Sequence, residues 1–243
     1  ILLGIFVMFK VVKLKYIIIS ALLIAAIIIV PIISSRRTTA TIKATPSLGI
    51  TVVLDAGHGG VDPGSVGRKT KVTESELNLA IVLKLKDYLL TGGINCLLTR
   101  TDQNGLYGAY TKDYKKRDMD ARKKIIESSN ANLVVSVHMN SFTSSRYRGA
   151  QVFYSELNPE SSKLAALIQQ CFASDLAESN KGSSIADYFM LKCSTLPSVL
   201  CECGFISNPE DEALLVTPEY QNKVAYAIYK GIVSYLCVGS AQI

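Results

Sequence analysis

The sequence contains no low-complexity tract and no internal repeat at the periods of solenoid proteins, which excludes a repeat architecture. Acidic residues are absent from residues 1–50, which contain six Lys and Arg side chains. The other 20 of the 26 basic residues balance all 20 acidic residues, so residues 51–243 carry no net charge. A neutral domain excludes nucleic-acid binding driven by a general positive field.

Histidine is scarce, since His58 and His138 are the only two in 243 residues. Each ends a run of apolar, β-favouring residues and is followed at once by a loop, so each ring is expected at the carboxyl end of a buried strand. In an open α/β sheet, ligands and chemistry collect at that edge. One such histidine is more often a satisfied core or surface residue, but two at matching strand ends indicate a shared site.

An apolar stretch near the start of the chain predicts export or membrane attachment. Residues 16–33 are apolar apart from Tyr16 and Ser20, and as a helix they would span roughly 27 Å. Three lysines precede the stretch, as in an export signal or a retained signal-anchor. Arg36 and Arg37 follow it without a clear cleavage site, which favours the anchor, although the sequence leaves cleavage open.

The remaining sequence predicts one α/β domain. Residues 34–50 have the composition of a linker, and strands alternate with helices from residue 51, which favours a largely parallel sheet covered by helices on both faces. We therefore expect a signal or anchor in 1–33, a linker in 34–50, a catalytic domain in 51–237 and a tail in 238–243. The strands are expected at 51–56, 94–99, 133–138, 150–154 and 198–203, with a sixth near 187–192. Further helices are expected at 117–129, 161–176, 209–215 and 218–236.

Two segments beside the strands bear on a site. Thr73 and Glu76 form the pattern of a capping box at the start of a helix, which occupies Glu76 and leaves Glu74, at the first helical position, free to face the sheet edge. The stretch 104–116, with three Tyr, two Gly and three Lys, has no periodicity. It is expected to be a surface loop that lines a substrate groove.

Four residues could together perform metal-assisted hydrolysis. A catalytic zinc takes about three ligands from His, Glu, Asp or Cys and keeps a position for water. His58, Glu74 and His138 supply two nitrogens and a carboxylate, and no H-E-x-x-H helix is present to replace them. Glu202 lies in an otherwise apolar strand, where a carboxylate is costly to bury without a role, and beside a zinc-activated water it would be a general base.

The six cysteines allow rival interpretations. None follows a C-x-x-C spacing, and their apolar surroundings suit buried thiols as well as disulfides, so the sequence leaves the disulfide state open. Cys201 and Cys203 flank Glu202 and could be a nucleophile or metal ligands. However, alternation along a strand should point both thiols away from Glu202, toward the other face of the sheet.

The same residues lie in blocks that resemble a known family. The segments 54–60, 74–79, 99–102, 136–140 and 197–208 are similar, in order, to the zinc-dependent N-acetylmuramoyl-L-alanine amidases of the Amidase_3 family. The resemblance extends from about Thr51 to Leu236. It implies a zinc exopeptidase/amidase-like fold, a twisted mixed sheet of about six strands with helices on both faces.

The resemblance also implies a reaction. His58, Glu74 and His138 match the zinc ligands of the family, and Glu202 matches its catalytic glutamate. The enzyme would hydrolyse the amide between the lactyl group of N-acetylmuramic acid and L-alanine of the peptide stem. Glu202 would take a proton from a zinc-activated water and deliver it to the departing amine.

An anchor followed by a catalytic domain is most similar to the spore-cortex amidases of endospore-forming bacteria. This likeness implies an exported protein at the outer face of the cytoplasmic membrane or in the forespore intermembrane space, with peptidoglycan as substrate. The alternative is a peptidoglycan-binding or partner-activated protein with a weak or vestigial zinc site.

Overall fold

The computed structural model describes residues 48–240, which include all of the predicted catalytic domain. The predicted membrane segment at 1–33, and the linker at 34–50 apart from its last three residues, lie outside the described residues. Within 48–240, no helix is both long and apolar enough to cross a membrane.

The described chain alternates strands and helices as expected. The strands are β1 (Thr51–Ala56), β2 (Asn95–Leu98), β3 (Leu133–Asn140), β4 (Gln151–Tyr154), β5 (Ser184–Ile185) and β6 (Ser198–Phe205). The helices are α1 (Glu74–Thr91), α2 (Tyr114–Glu127), α3 (Pro159–Asp175), α4 (Pro209–Leu215) and α5 (Pro218–Ser240). The last helix therefore continues three residues beyond the expected end of the domain at 237.

The six strands form one sheet in the order β2-β1-β3-β6-β4-β5. The pairs β1–β2, β1–β3, β3–β6 and β4–β5 are parallel, and only β4–β6 is antiparallel. The prediction of a mixed, largely parallel sheet is therefore confirmed. Because β1, β3 and β6 are adjacent and parallel, their carboxyl ends meet at one edge of the sheet.

The predicted sixth strand near 187–192 is wrong. That segment contains a single turn of 3-10 helix, Phe189–Leu191, and the sixth strand is Ser184–Ile185, which pairs with β4 at the sheet edge. Met190 and Leu191 are buried, so the apolar run has a packing role, but its residues cover one face of the sheet instead of joining it. A short apolar run does not by itself distinguish these two outcomes.

The sheet separates two apolar layers, and its two faces differ in what they carry. On one face, residues such as Val52 and Val135 pack with α1, α3 and α5 in the main core. On the other face, Val53 and Val134 pack with Ile126 of α2 and with Met190. The register places Asp55 beside Ser136 and His138 beside Glu202. Because side chains alternate along a strand, these four polar residues share the face of the sheet that α2 covers.

Candidate active site

Three of the four predicted site residues form one cluster at the carboxyl edge of β1 and β3. Glu74 Oε1 lies 3.1 Å from His58 Nε2 and 3.0 Å from His138 Nδ1. One donor atom from each residue lies within 4.8 Å of the other two, so the three side chains could hold a single metal ion. The residues come from a strand end, a helix start and a second strand, and only the fold brings them together.

Hydrogen bonds outside the cluster fix the orientation of its members. His58 Nδ1 lies 3.0 Å from Asp62 Oδ2, which leaves Nε2 directed at Glu74. Glu74 Oε2 accepts a hydrogen bond from the Ser65 amide at 2.9 Å, and Glu74 Oε1 accepts one from the Met139 amide at 3.2 Å. A carboxylate that binds the free nitrogen of a histidine is the arrangement that orients such rings at metal sites.

The helix that carries Glu74 begins as predicted. Thr73 and Glu76 form a reciprocal capping box, in which Glu76 Oε2 accepts from the Thr73 amide at 2.8 Å and Thr73 Oγ1 accepts from the Glu76 amide at 3.3 Å. The preceding loop is held by Glu212, whose carboxylate accepts from the Thr70 amide at 2.7 Å. Glu212 thus holds the loop and Glu76 caps the helix, so the carboxylate of Glu74 is directed into the cluster.

Glu202 lies beside the cluster with one oxygen unpaired. It is adjacent to His138 across the β3–β6 pair and shares its face of the sheet, and only 8% of the residue is exposed. Its Oε2 atom is buried and has no hydrogen-bond partner among the described residues. Such an oxygen costs free energy unless something outside the protein binds it, so the geometry leaves a proton acceptor at the cluster.

The two carboxylates differ in pKa because their surroundings differ. Burial acts to raise the pKa of Glu74, but hydrogen bonds and charge from His138 and His58 lower it well below its ordinary value. Burial raises the pKa of Glu202 to about 7, an increase that His138 and His58 only partly oppose. Near neutral pH, Glu74 therefore stays ionised while Glu202 can gain or lose a proton, as a general base requires.

Two buried arginines, which the sequence interpretation did not assign, hold the loop that carries His58. Arg122 Nη2 donates to the His58 carbonyl at 2.6 Å, and Arg100 Nη2 donates to the Gly57 carbonyl at 3.0 Å. Arg122 is anchored by Asp55, which accepts from Arg122 Nη1 at 2.6 Å. His58 itself has a positive φ of 61°, unusual for a residue with a side chain, and these bonds to its loop offset that cost.

The position of Asp55 in the sequence could have indicated its buried role. Like Glu202, Asp55 is an acid inside an apolar strand, and the same cost of burial applies to it. Its carboxylate accepts from Thr99 Oγ1 at 2.7 Å and from Ser136 Oγ at 2.5 Å as well as from Arg122. Arg122 had no comparable local signal, because it lies in a charged helix and its partner is 67 residues away.

The ring of His138 packs directly against the backbone of Gly57. A Cβ atom added to that glycine would lie 2.1 Å from His138 Cε1. The absence of a side chain therefore allows the two strand ends to approach closely enough for both histidines to reach Glu74.

The cysteines are free thiols, and the two beside Glu202 lie on the opposite face of the sheet. Cys201 and Cys203 are fully buried in the main core between the sheet and α1, α3 and α5. Burial raises the pKa of both thiols far above the ordinary value. The expectation that they point away from Glu202 is confirmed, and neither contributes to the cluster of site residues.

The predicted loop at 104–116 is irregular only as far as Asp113, because α2 begins at Tyr114, and residues of both parts line a cavity. Tyr107 of that loop, with Tyr114 and Lys115 at the start of α2, lines a cavity of about 280 Å³ that also includes His58 and His138. A second, more open cavity of about 490 Å³ adjoins the other side of the cluster. The cluster thus lies where two recesses meet.

A parallel sheet whose carboxyl edge carries two histidines, a shared carboxylate and an unpaired buried glutamate defines an α/β enzyme able to hold a metal ion. The chain belongs to the N-acetylmuramoyl-L-alanine amidase family, Amidase_3, which matches residues 52–234. It is accordingly a hydrolase of peptidoglycan, the polymer in which the bond that this family cleaves occurs.

Named relatives agree with this assignment. The chain is 38% identical over 194 residues to the germination-specific N-acetylmuramoyl-L-alanine amidase of Bacillus subtilis, covering 78% of this chain and 81% of that protein. The CwlD amidase of Clostridioides difficile, solved in complex with the GerS lipoprotein, is 40% identical with a TM-score of 0.74, covering 78% of this chain and 99% of that one. The catalytic domain of CwlV from Bacillus (Paenibacillus) polymyxa is 33% identical with a TM-score of 0.68, covering 78% and 99%.

Proposed function

We propose that His58, Glu74 and His138 hold a zinc ion and that Glu202 is the general base of amide hydrolysis. The donor set fits this ion, because two imidazole nitrogens and one carboxylate oxygen are a common ligand set of catalytic zinc, and their donor atoms lie within 4.8 Å of one another. The observation that carries the proposal is the unpaired, buried Oε2 atom of Glu202 on the same face of the sheet.

The chemistry divides between the ion and the protein. Zinc, when bound, supplies a Lewis acid for the lactyl carbonyl and for the attacking water. Glu202 accepts a proton from that water while the water oxygen attacks the carbonyl carbon. It then returns a proton to the nitrogen of L-alanine as the carbon–nitrogen bond breaks. Asp62 holds the His58 ring in one tautomer throughout, through its bond to Nδ1.

The test uses the whole chain incubated with purified sacculi. Mass spectrometry should detect stem peptides with a free L-alanine amino terminus, a chelator should abolish their release, and added zinc should restore it. New termini at D-alanine or diaminopimelate would instead identify a zinc peptidase.

Two variants separate catalysis from binding. Glu202→Gln should retain one zinc per chain and lose at least 100-fold in turnover, the usual scale of general-base catalysis. Glu156→Gln, an exposed glutamate remote from the cluster, is the matched control and should leave turnover unchanged. A zinc-loaded wild-type chain that binds sacculi without any turnover would favour the alternative of a binding protein with a vestigial site.

We infer that the biological setting is the spore cortex, with the enzyme outside the cytoplasm and residues 1–33 as its signal or anchor. Support comes from the germination-specific relative in Bacillus subtilis and from the substrate, which lies outside the cytoplasmic membrane. The chain should restore muramic-δ-lactam to the cortex of a Bacillus subtilis strain that lacks its germination-specific amidase. Glu202→Gln should fail to do so. Turnover on vegetative sacculi without any restored lactam would instead indicate a general wall enzyme.

A protein partner is a second element of the proposal. The CwlD relative was solved in complex with a lipoprotein, which supports a lipoprotein partner for this chain. We infer that such a partner would order the zinc site. The prediction is weak zinc binding by the chain alone, measured by competition with a fluorescent chelator, and tighter binding when a GerS-type lipoprotein is added. Full turnover by the chain alone, at one equivalent of zinc, would contradict partner dependence.

A further inference from the structure

The two cavities that meet at the cluster differ in shape and lining. The cavity of about 280 Å³ is the more enclosed, and its wall is largely aromatic and apolar, with Tyr107, Tyr114, Met119, Phe189 and Met190. The cavity of about 490 Å³ is more open, and polar side chains such as Glu74, Asn140 and Glu202 line it together with Met139 and Leu200. His58 and His138 belong to both, so a substrate whose scissile bond lies at the cluster would extend one way into each.

The substrate has two unlike sides that match this difference. On one side of the scissile amide is a glycan strand, a bulky polymer that needs an open groove. On the other side is a peptide stem, a single narrow chain that can enter an enclosed recess. The enclosed cavity therefore suits the peptide stem, and the open cavity suits the muramyl side.

One cation of the enclosed cavity, Lys115, also lines the open cavity, so it lies where the two recesses meet. The cations of the enclosed cavity are Arg122 and Lys115, and Arg122 is buried with its donors committed to Asp55, Asp118 and backbone carbonyls. The side chain of Lys115 is 66% exposed and forms an ion pair with Asp62, in which the Nζ–Oδ1 distance of 3.8 Å is too long for a hydrogen bond. Lys115 therefore presents ammonium protons to the cavity that no group in the described chain accepts.

We propose that the enclosed cavity binds the peptide stem and that Lys115 is a specificity-determining residue that pairs with the α-carboxylate of the second stem residue. This inference rests on the proposed amidase function. In peptidoglycan, L-alanine is followed by a D-glutamate joined through its side-chain carboxyl, so the α-carboxyl of that residue is free unless it is amidated. It is the negative group nearest to the scissile bond on the peptide side.

The short separation between the scissile bond and this carboxylate along the stem favours the pairing. Two extended residues span roughly 7 Å, which separates the scissile carbonyl from the α-carboxylate. Lys115 Nζ lies 3.8 Å from Asp62 Oδ1, and Asp62 Oδ2 lies 3.0 Å from His58 Nδ1, so a single carboxylate connects the lysine to a residue of the cluster. A lysine side chain with exposed methylenes can close the remaining distance by rotamer changes at little cost.

A structural role for Lys115 makes a different prediction. If Lys115 only supported Asp62, and through it His58, its removal would weaken zinc binding and lower turnover on every substrate alike. Recognition of the carboxylate predicts a loss that depends on the charge of the substrate and leaves zinc binding unchanged.

The experiment compares two defined tetrasaccharide substrates that carry the same stem, one with the D-glutamate α-carboxylate and one with the α-carboxamide. For the zinc-loaded wild type, kcat/KM should be about 10-fold or more higher on the carboxylate, the scale of a charge-assisted hydrogen bond. Lys115→Gln should lose this preference by slowing on the carboxylate substrate only, and Lys115→Arg should keep part of it. Lys116→Gln, an exposed neighbour that does not line the cavity, is the matched control.

A binding measurement supplies a readout apart from turnover. Titration calorimetry of both uncleaved substrates into zinc-loaded Glu202→Gln, with and without Lys115→Gln, should give the same charge dependence in Kd. Equal rates of the wild type on both substrates, or an equal loss on both in Lys115→Gln, would overturn the assignment of Lys115 while leaving the amidase intact. Absence of turnover on both substrates by the zinc-loaded wild type would contradict the amidase function itself.

Discussion

Arg122 Nη1 donates to Asp55 Oδ1 at 2.6 Å, with side chains that are only 2% and 1% exposed. This ion pair lies directly behind the cluster, and its arginine also donates to the carbonyl of His58. A buried pair of this kind adds little net stability compared with an apolar pair, but removal of one partner leaves an uncompensated charge in the interior. The pair therefore couples the stability of the domain to the position of a site residue.

Asp55→Asn should destabilise the domain by about 3 kcal/mol, because Arg122 would remain charged without its carboxylate. Urea denaturation followed by circular dichroism measures the loss. Asp120→Asn, on the exposed side of α2, should change stability by less than about 0.5 kcal/mol. Equal stability of Asp55→Asn and the wild type would mean that Arg122 is not held by this carboxylate.

Acid should weaken the same pair in a defined pH range. Burial acts to raise the pKa of Asp55, but Arg122 and two hydroxyl groups lower it from 3.8 to about 2. Because the folded pKa is below the unfolded one, this stabilisation is fully present above about pH 4 and is lost as the pH falls toward 2. The contribution is about 2 kcal/mol. The difference in unfolding free energy between the wild type and Asp55→Asn should shrink over this range, whereas a constant difference would refute the shift.

Gly57→Ala should displace the ring of His138, since the new Cβ would lie 2.1 Å from Cε1 of that ring. We expect zinc affinity to fall at least tenfold, the scale seen when the support of a metal ligand is disturbed. Gly182→Ala is the matched control, because nothing lies within 4 Å of its new Cβ. Equilibrium dialysis with metal analysis compares the two, and unchanged affinity in Gly57→Ala would show that the ring can move without losing the ion.

The two glutamates at the start of α1 should have separable roles. Glu76→Ala removes half of the capping box and should cost about 1 kcal/mol of stability while zinc is retained. Glu74→Ala should lose zinc binding, because its carboxylate lies between both histidines. Thermal unfolding and zinc content measured on both variants test this separation, and loss of zinc in Glu76→Ala would contradict it.

The sequence by itself determined the elements that present the site. Apolar runs ending in His58 and His138 predicted two buried strands, and the capping box predicted the first helical residue, Glu74, because these patterns depend on neighbours in the chain. Alternation along β6 likewise separated Glu202 from the flanking cysteines. Local periodicity was sufficient for each of these.

Tertiary structure alone decided what surrounds those residues. The apolar run at 187–192 became a cover on the sheet, because burial against one face satisfies its side chains as well as a strand would. Arg122 contacts Asp55 and His58, which lie more than 60 residues away in the chain. Lys115 lines the cavity beside His58, although the sequence around it has no apolar periodicity. Such contacts depend on how α2 packs over the sheet, and patterns among neighbouring residues do not predict that packing.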